Sequence, residues 1–402
     1  MIQRISLAAL RRSFSLLAIS TALFACSSGS ETETPPSSSA EEMLSSSSTS
    51  ETLPSSSGEK ALSSSSIDEI SSSSMESNSL LLNFTSDYTT GLLHWMTFSS
   101  ESFSSDDILF DQDSKVFANG KDIFVLERKN WGATNILSCM QADKIGDKTL
   151  IKQTRLEDIS NPYEVAIVEN KGYIALYDLD YVQIFNPATC ALSGKINLPI
   201  TEANAASIKA SGDTLLVVAQ RLENFRATKP GLLIRINAST ETVIDTIQLK
   251  FYNPQNSALS NGKLYISSPD DWYNLSFVNA GVEVVDLATG TSDVLVTGTA
   301  LGGGFNHIAL DEANQILYVS VYEDFGREPV KPVNVSNKTV GEALPNITDS
   351  FGSLFFDNVA KKLFVGDRGF GNEGLKIYDP ETKSIITIKS KLPPYSLAVA
   401  RW

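Results

Sequence analysis

The amino-acid sequence predicts an all-β fold, a ring of seven four-stranded antiparallel blades over residues 80–402, on three observations. A unit of about 45 residues, built of four short strands, recurs six times in register; repeats on such a period belong to propellers and solenoids. The two ends of the region carry complementary fragments of one more unit. No stretch within it has the long apolar stripe at helical spacing that an amphipathic helix needs.

The second strand of each unit is the plainest. Asp122–Glu127 (DIFVLE), Tyr173–Tyr177 (YIALY), Thr214–Ala219 (TLLVVA), Lys263–Ser267 (KLYIS), Ile316–Val321 (ILYVSV) and Lys362–Gly366 (KLFVG) are β-branched or aromatic-rich. Asn119-Gly120, Ser211-Gly212 and Asn261-Gly262 precede three of them, as tight hairpins require. Third and fourth strands follow in Tyr181–Leu198, Gly281–Val296 and Gly374–Ile388, joined by turns rich in Asp, Asn, Pro, Thr and Gly. The blades are expected at 116–156, 162–198, 205–249, 254–297, 305–344 and 351–390. Pro394–Trp402 (PYSLAVARW) matches the first strand Pro162–Val168 (PYEVAIV), and residues 80–110 supply second, third and fourth strands. Joined, they form a seventh blade from both chain ends, which removes open sheet edges. Leu310–Val321 (LDEANQILYVSV) and Val282–Asp286 (VEVVD) carry the pattern by which the region resembles YVTN-type β-propeller repeats.

Before the ring the chain reads as an export leader and a tether. Arg4, Arg11 and Arg12 precede an apolar stretch of eleven residues, Phe14–Phe24, too short for a span of about 20. Leu23-Phe24-Ala25-Cys26 resembles the lipobox of bacterial lipoproteins, although Phe24 is bulkier than the pattern's usual small residue. That resemblance implies signal residues 1–26 and a lipid on Cys26. The chain is therefore expected to be exported and anchored at an outer membrane or cell surface, with the membrane partnered through the lipid. Residues 27–79 hold 24 serines, nine acids and one lysine, too little apolar surface to offset the entropy of ordering. They are expected to be a disordered linker with a reach of roughly 40 Å.

The formal charge of −15 becomes −18 without the three leader arginines, and the linker accounts for −8 of that. The remaining −10 on the ring argues against nucleic acid, which needs clustered Lys and Arg. Cys139 and Cys190 fall in neighbouring blades, either as a disulfide suited to an oxidising compartment or as two half-buried thiols.

Loops between second and third strands share one rim and collect aromatic and charged residues. Arg128, Trp131, Tyr181, Arg221, Phe225, Arg226, Trp272, Tyr273, Tyr322, Arg327, Arg368 and Phe370 are the candidate binding residues, because flat rings stack on sugars or peptides while charged neighbours fix orientation. Links between blades converge on the central channel, where Asp113, Glu164 and His307 are the candidates for acid–base chemistry. Oxygen-rich links could hold Ca²⁺, but no ordered ligand spacing appears, so no cofactor is expected. Neither a G-x-S-x-G elbow nor an H-E-x-x-H or P-loop motif is present. The leading expectation is a binding module for a polysaccharide or protein partner. A lactone hydrolase or metal-dependent enzyme using the channel, and a purely structural envelope protein, are the alternatives; the sequence leaves oligomeric state open.

Overall fold

A computed structural model describes residues 78–129, 134–271 and 277–402. The expected leader, Cys26 and linker residues 27–77 lie outside the described residues, as do Trp131, Trp272 and Tyr273. The linker's expected end at residue 79 is corrected, because Ser79 already pairs in the first strand.

Nearly all of the regular structure in the described residues is strand. It opens with β1 (Ser79–Ser86), β2 (Gly91–Thr97) and β3 (Ile108–Phe110). The next blade holds β4 (Ser114–Asn119), β5 (Asp122–Lys129), β6 (Thr134–Gln141) and β7 (Lys152–Arg155). Then come β8 (Pro162–Val168), β9 (Lys171–Leu176), β10 (Tyr181–Phe185) and β11 (Leu192–Asn197). β12 (Ala205–Ser211), β13 (Thr214–Ala219), β14 (Pro230–Asn237) and β15 (Thr242–Tyr252) form another blade. β16 (Asn256–Ser260), β17 (Lys263–Ser268), β18 (Gly281–Asp286) and β19 (Thr291–Thr297) form the one after it. One helical turn, α1 (Gly298–Leu301), leads into β20 (Gly304–Asp311), β21 (Ile316–Tyr322) and β22 (Val330–Asn334). The chain ends with β23 (Ser353–Asp357), β24 (Lys362–Asp367), β25 (Gly374–Tyr378), β26 (Ile385–Ile388) and, last, β27 (Pro394–Arg401).

Seven sheets result, each an antiparallel meander. The first three strands are completed by the last, in the order β27-β1-β2-β3, so one blade is made from both chain ends. Neighbouring first strands touch all the way round: β27, β4, β8, β12, β16, β20, β23 and back to β27. The protein is a closed seven-bladed β-propeller.

One blade departs from the expected four regular strands. Beyond β22 the outer segment is held by the Asn334 amide donating to the Thr339 carbonyl, while Pro332 accepts from Gly341 and Val330 from Leu344, without forming a continuous strand. Pro332 is the physical reason: its carbonyl accepts on that side, but it has no N–H to return.

The core lies between blades. Phe124, Leu126 and Leu137 meet Ile174, Leu176 and Phe185 across one interface; Leu81, Met96 and Leu397 meet Phe364, Leu375 and Ile388 across the closing one. Each such side chain contributes roughly 1.5–3 kcal/mol on leaving water. Gly172 is required beneath Phe185, since a Cβ there would stand 2.1 Å from the ring. Cys139 on β6 and Cys190 in the β10–β11 turn are joined by a disulfide, Cα atoms 5.8 Å apart, that staples two blades.

Candidate functional site

Every blade sends its β-strand-two-to-three loop and its incoming link to the same end of the ring, so that end holds both a channel mouth and an outer rim. The mouth is built from the starts of first strands. Tyr163 and Glu164 open β8, Tyr395 opens β27, Lys115 opens β4, and His307 lies in β20.

Arg128 organises the mouth. Its guanidinium gives a 2.8 Å hydrogen bond to Asp113 Oδ1 and a weaker one, 3.4 Å, to Asn161 Oδ1. Tyr395 donates its hydroxyl to the same Asp113 oxygen. Arg128 lies 4.5 Å over the ring of Tyr163, which stacks on Tyr177 with centroids 4.7 Å apart. Tyr177 in turn donates to Gln220 at 2.7 Å. Burial, with Asp113 next, pushes the Tyr395 hydroxyl well above its ordinary value, so it stays a donor at neutral pH.

Glu164 is bound by three donors: the Lys209 ammonium at 2.5 Å, the Ser207 hydroxyl at 2.6 Å and the Ile208 amide at 2.7 Å. Lys115 has its ammonium 4.5 Å from the Tyr163 ring centre. Burial and then the neighbouring Arg128 push it down to about 8. His307 Nε2 meets the Phe351 carbonyl at 3.1 Å and must donate to it as the neutral tautomer. Burial, followed by Lys115, pushes His307 down to about 4, which makes it a weak base at neutral pH.

The structure thus brings Asp113, Glu164 and His307 to one mouth, each with its own partner. Among the described residues no group of three or more His, Cys, Asp or Glu could hold a metal ion.

The rim candidates divide. Arg128 is not on the rim but buried at the mouth, because Asp113 in the preceding link supplies the charge it needs. Arg368 is half-buried and donates to the carbonyls of Ser86, Pro393 and Pro394, while lying 4.8 Å over the Tyr88 ring. It therefore ties the closing strand to the first. Tyr181 donates to Glu157 at 2.7 Å beneath Lys195, and Arg221 reaches the Pro230 carbonyl at 3.3 Å. Arg226 pairs with Asp271 at 2.6 Å and Arg327 with Glu323 at 3.0 Å, both from exposed positions. Tyr322 is half-buried.

Exposed aromatics mark this end of the ring. Tyr88 (52%), Phe225 (50%), Phe325 (87%), Phe351 (40%) and Phe370 (102%) all sit on its loops. The single other large aromatic exposed among the described residues is Trp402, beyond β27 at the opposite end. Phe225 and Phe325 occupy two-residue hairpin tips, between the bridged pairs Glu223–Arg226 and Asp324–Arg327. Asn224 and Phe225 both take positive φ, 51° and 64°, a conformation costly for an aromatic residue.

Sequence reasoning missed Lys115, Tyr163 and Tyr395. A signal was there for the tyrosines, since Pro162-Tyr163 and Pro394-Tyr395 begin two first strands alike.

Fold and site together define a class, the seven-bladed β-propeller with a polar channel mouth and an aromatic rim. No family model and no curated protein matches the chain. Solved structures share the fold. The chain is similar to a proposed 6-phosphogluconolactonase of Bacteroides fragilis, at 15% identity and a TM-score of 0.58 over 81% of this chain and 99% of that one. It is also similar to a protein of Lactobacillus plantarum, at 12% identity, TM-score 0.57 and coverage of 81% and 99%. Kuenenia stuttgartiensis hydrazine synthase matches at 11% identity, TM-score 0.56 and coverage of 76% and 94%. Such a likeness establishes the architecture alone.

Proposed function

We propose that the chain is a surface-displayed binding module, its rim docking a polysaccharide or a protein partner. The observation that supports this is the gathering of Tyr88, Phe225, Phe325, Phe351 and Phe370 at one end of the ring. Exposed rings gathered on one face cost solvation, and contact with a partner is the gain that offsets them. Arg226 and Arg327, both exposed beside these rings, fix orientation. In the same reading a lipid on Cys26 anchors the chain at an outer membrane or cell surface, and residues 27–79 space the ring from it. Metabolic labelling with palmitate tests the anchor: label should enter the parent chain and be lost in Cys26→Ala.

The rim is tested by binding of the full chain to an array of plant-wall and bacterial glycans, and by capture of envelope proteins, with the parent and with Phe325→Ala/Phe370→Ala. A retained partner whose affinity falls about tenfold or more in the double variant supports the rim. An identified partner bound equally by both chains would sink it.

A second reading, a lactone hydrolase, draws on the meeting of His307, Glu164 and Asp113 at one mouth. Hydrolysis of simple lactones by the parent, abolished in His307→Ala, would favour that reading over the rim.

A further inference from the structure

At the channel mouth the Lys115 ammonium has no carboxylate to itself, and the third acid nearby, Asp178, accepts from Asn161. The charges acting most strongly on Lys115 are Arg128, Lys209, Asp113 and Glu164. Asp113 is committed to Arg128 and Tyr395. Glu164 is committed to Lys209, the Ser207 hydroxyl and the Ile208 amide. His307, held as a neutral donor by the Phe351 carbonyl, adds no negative charge. The Lys115 ammonium therefore meets no acceptor among the described residues, and the Tyr163 ring 4.5 Å away is its near neighbour.

A second donor is in the same state. Arg128 Nε is buried with no acceptor, although the side chain's terminal nitrogens are used. Lys115 and Arg128 lie at equal distance from the same ring, 4.5 Å each. A half-buried ammonium without a hydrogen-bond acceptor is unfavourable, and it is out of keeping with a ring whose net charge is −10. Removing either carboxylate's present partner to serve Lys115 would only move the deficit. An oxyanion brought in from solution would remove it, accepting from the Lys115 ammonium in a charge-assisted geometry beside the Arg128 guanidinium. Tyr163 and Tyr177, stacked beside the cations, offer a flat apolar wall for the rest of such a molecule.

We infer that Lys115 and Arg128 form an oxyanion subsite at the channel mouth that takes the carboxylate of a small organic acid or acidic sugar. The subsite stands apart from the rim: its failure would leave the rim reading untouched, and the reverse.

The test is titration calorimetry of the full chain with glucuronate, acetate and inorganic phosphate at matched ionic strength, together with thermal melting of each ligand-free variant. Glucuronate should bind with uptake of a proton at about pH 8, since a bound carboxylate restores Lys115 to its charged form. Lys115→Met should weaken that binding about tenfold or more, and Lys115→Arg, which keeps the charge, should retain most of it. Without ligand, Lys115→Met should melt no lower than the parent, because it removes an unpaired cation. No glucuronate binding, or equal affinity in Lys115→Met, overturns the subsite. Binding of phosphate alone overturns its assignment to carboxylates. A ligand-free Lys115→Met chain that melts far below the parent would reassign Lys115 to packing against Tyr163.

Discussion

Tyr395, on the strand that closes the ring, donates its hydroxyl to Asp113, the residue that neutralises buried Arg128. Closure and the channel mouth are therefore one hydrogen-bonded unit. Tyr395→Phe keeps the ring's edge-to-face contacts with Phe84 and Tyr88 but removes this donor. A loss of about 1–3 kcal/mol is expected from chemical denaturation. A variant as stable as the parent would show that Asp113 is satisfied without Tyr395.

Asp113→Ala leaves Arg128 charged, buried and without its carboxylate. Breaking such a pair from one side costs about 3–5 kcal/mol. Asp113→Ala/Arg128→Met removes both charges and should recover much of that loss. A double variant no more stable than Asp113→Ala would place the cost elsewhere than in the orphaned guanidinium.

The Cys139–Cys190 disulfide closes a segment with a separation of 51 residues. In the chain-entropy account a loop of that length is worth roughly 4 kcal/mol, through restriction of the unfolded state. Cys139→Ala/Cys190→Ala should melt lower than the oxidised parent, and a reductant should lower the parent alone. Equal melting of the two chains under oxidising conditions would contradict this.

Much of this architecture is legible in the sequence because each blade repeats one grammar. Strands such as Lys263–Ser268 and Ile316–Tyr322 announce themselves by β-branched and aromatic runs after Asn-Gly or polar turns. The pairing of β27 with β1 follows from two fragments that complete each other. The mouth is less legible, because its partners are far apart in sequence: Asp113 and Tyr395 are separated by 282 residues. Arg128 looks like a rim residue when read beside its neighbours in the chain. Only the ring brings Asp113 and Asn161 to either side of it. The broken fourth strand after β22 turns on the direction in which Pro332 faces, which a local pattern does not specify.

His307 should give the fold a pH dependence below neutrality. Burial and Lys115 hold its folded value at about 4, against about 6.5 in an unfolded chain. The unfolded state then binds a proton that the fold refuses, so stability falls as pH drops through this window. The contribution is about 1–3 kcal/mol, reduced by solvent in the channel. The difference in urea midpoint between the parent and His307→Asn should narrow or reverse from about pH 7 to about pH 4. A difference that stays constant over that range would show that His307 does not titrate as its surroundings require.

Asn83 stands opposite His94 and Leu397 in the closing blade, fully buried, with neither amide atom meeting a partner in the protein. It shares its face of the sheet with apolar Leu81 and Leu397, which pack against the last blade. Replacing it with leucine keeps the branched shape, with larger terminal groups, and removes two unmet polar atoms. Burying such groups costs about 1–3 kcal/mol, so Asn83→Leu should melt higher than the parent. His94 loses nothing by the change, since its Nε2 has no hydrogen bond from Asn83 to forfeit. Asn83→Ala is the control, because it removes the same polar atoms but opens a cavity, and should gain less or lose stability. If both variants melt below the parent, the amide is held by interactions that its burial conceals, and the closing interface depends on polarity at this position. Asn83→Leu melting below Asn83→Ala would instead show that the site has no room for the larger side chain.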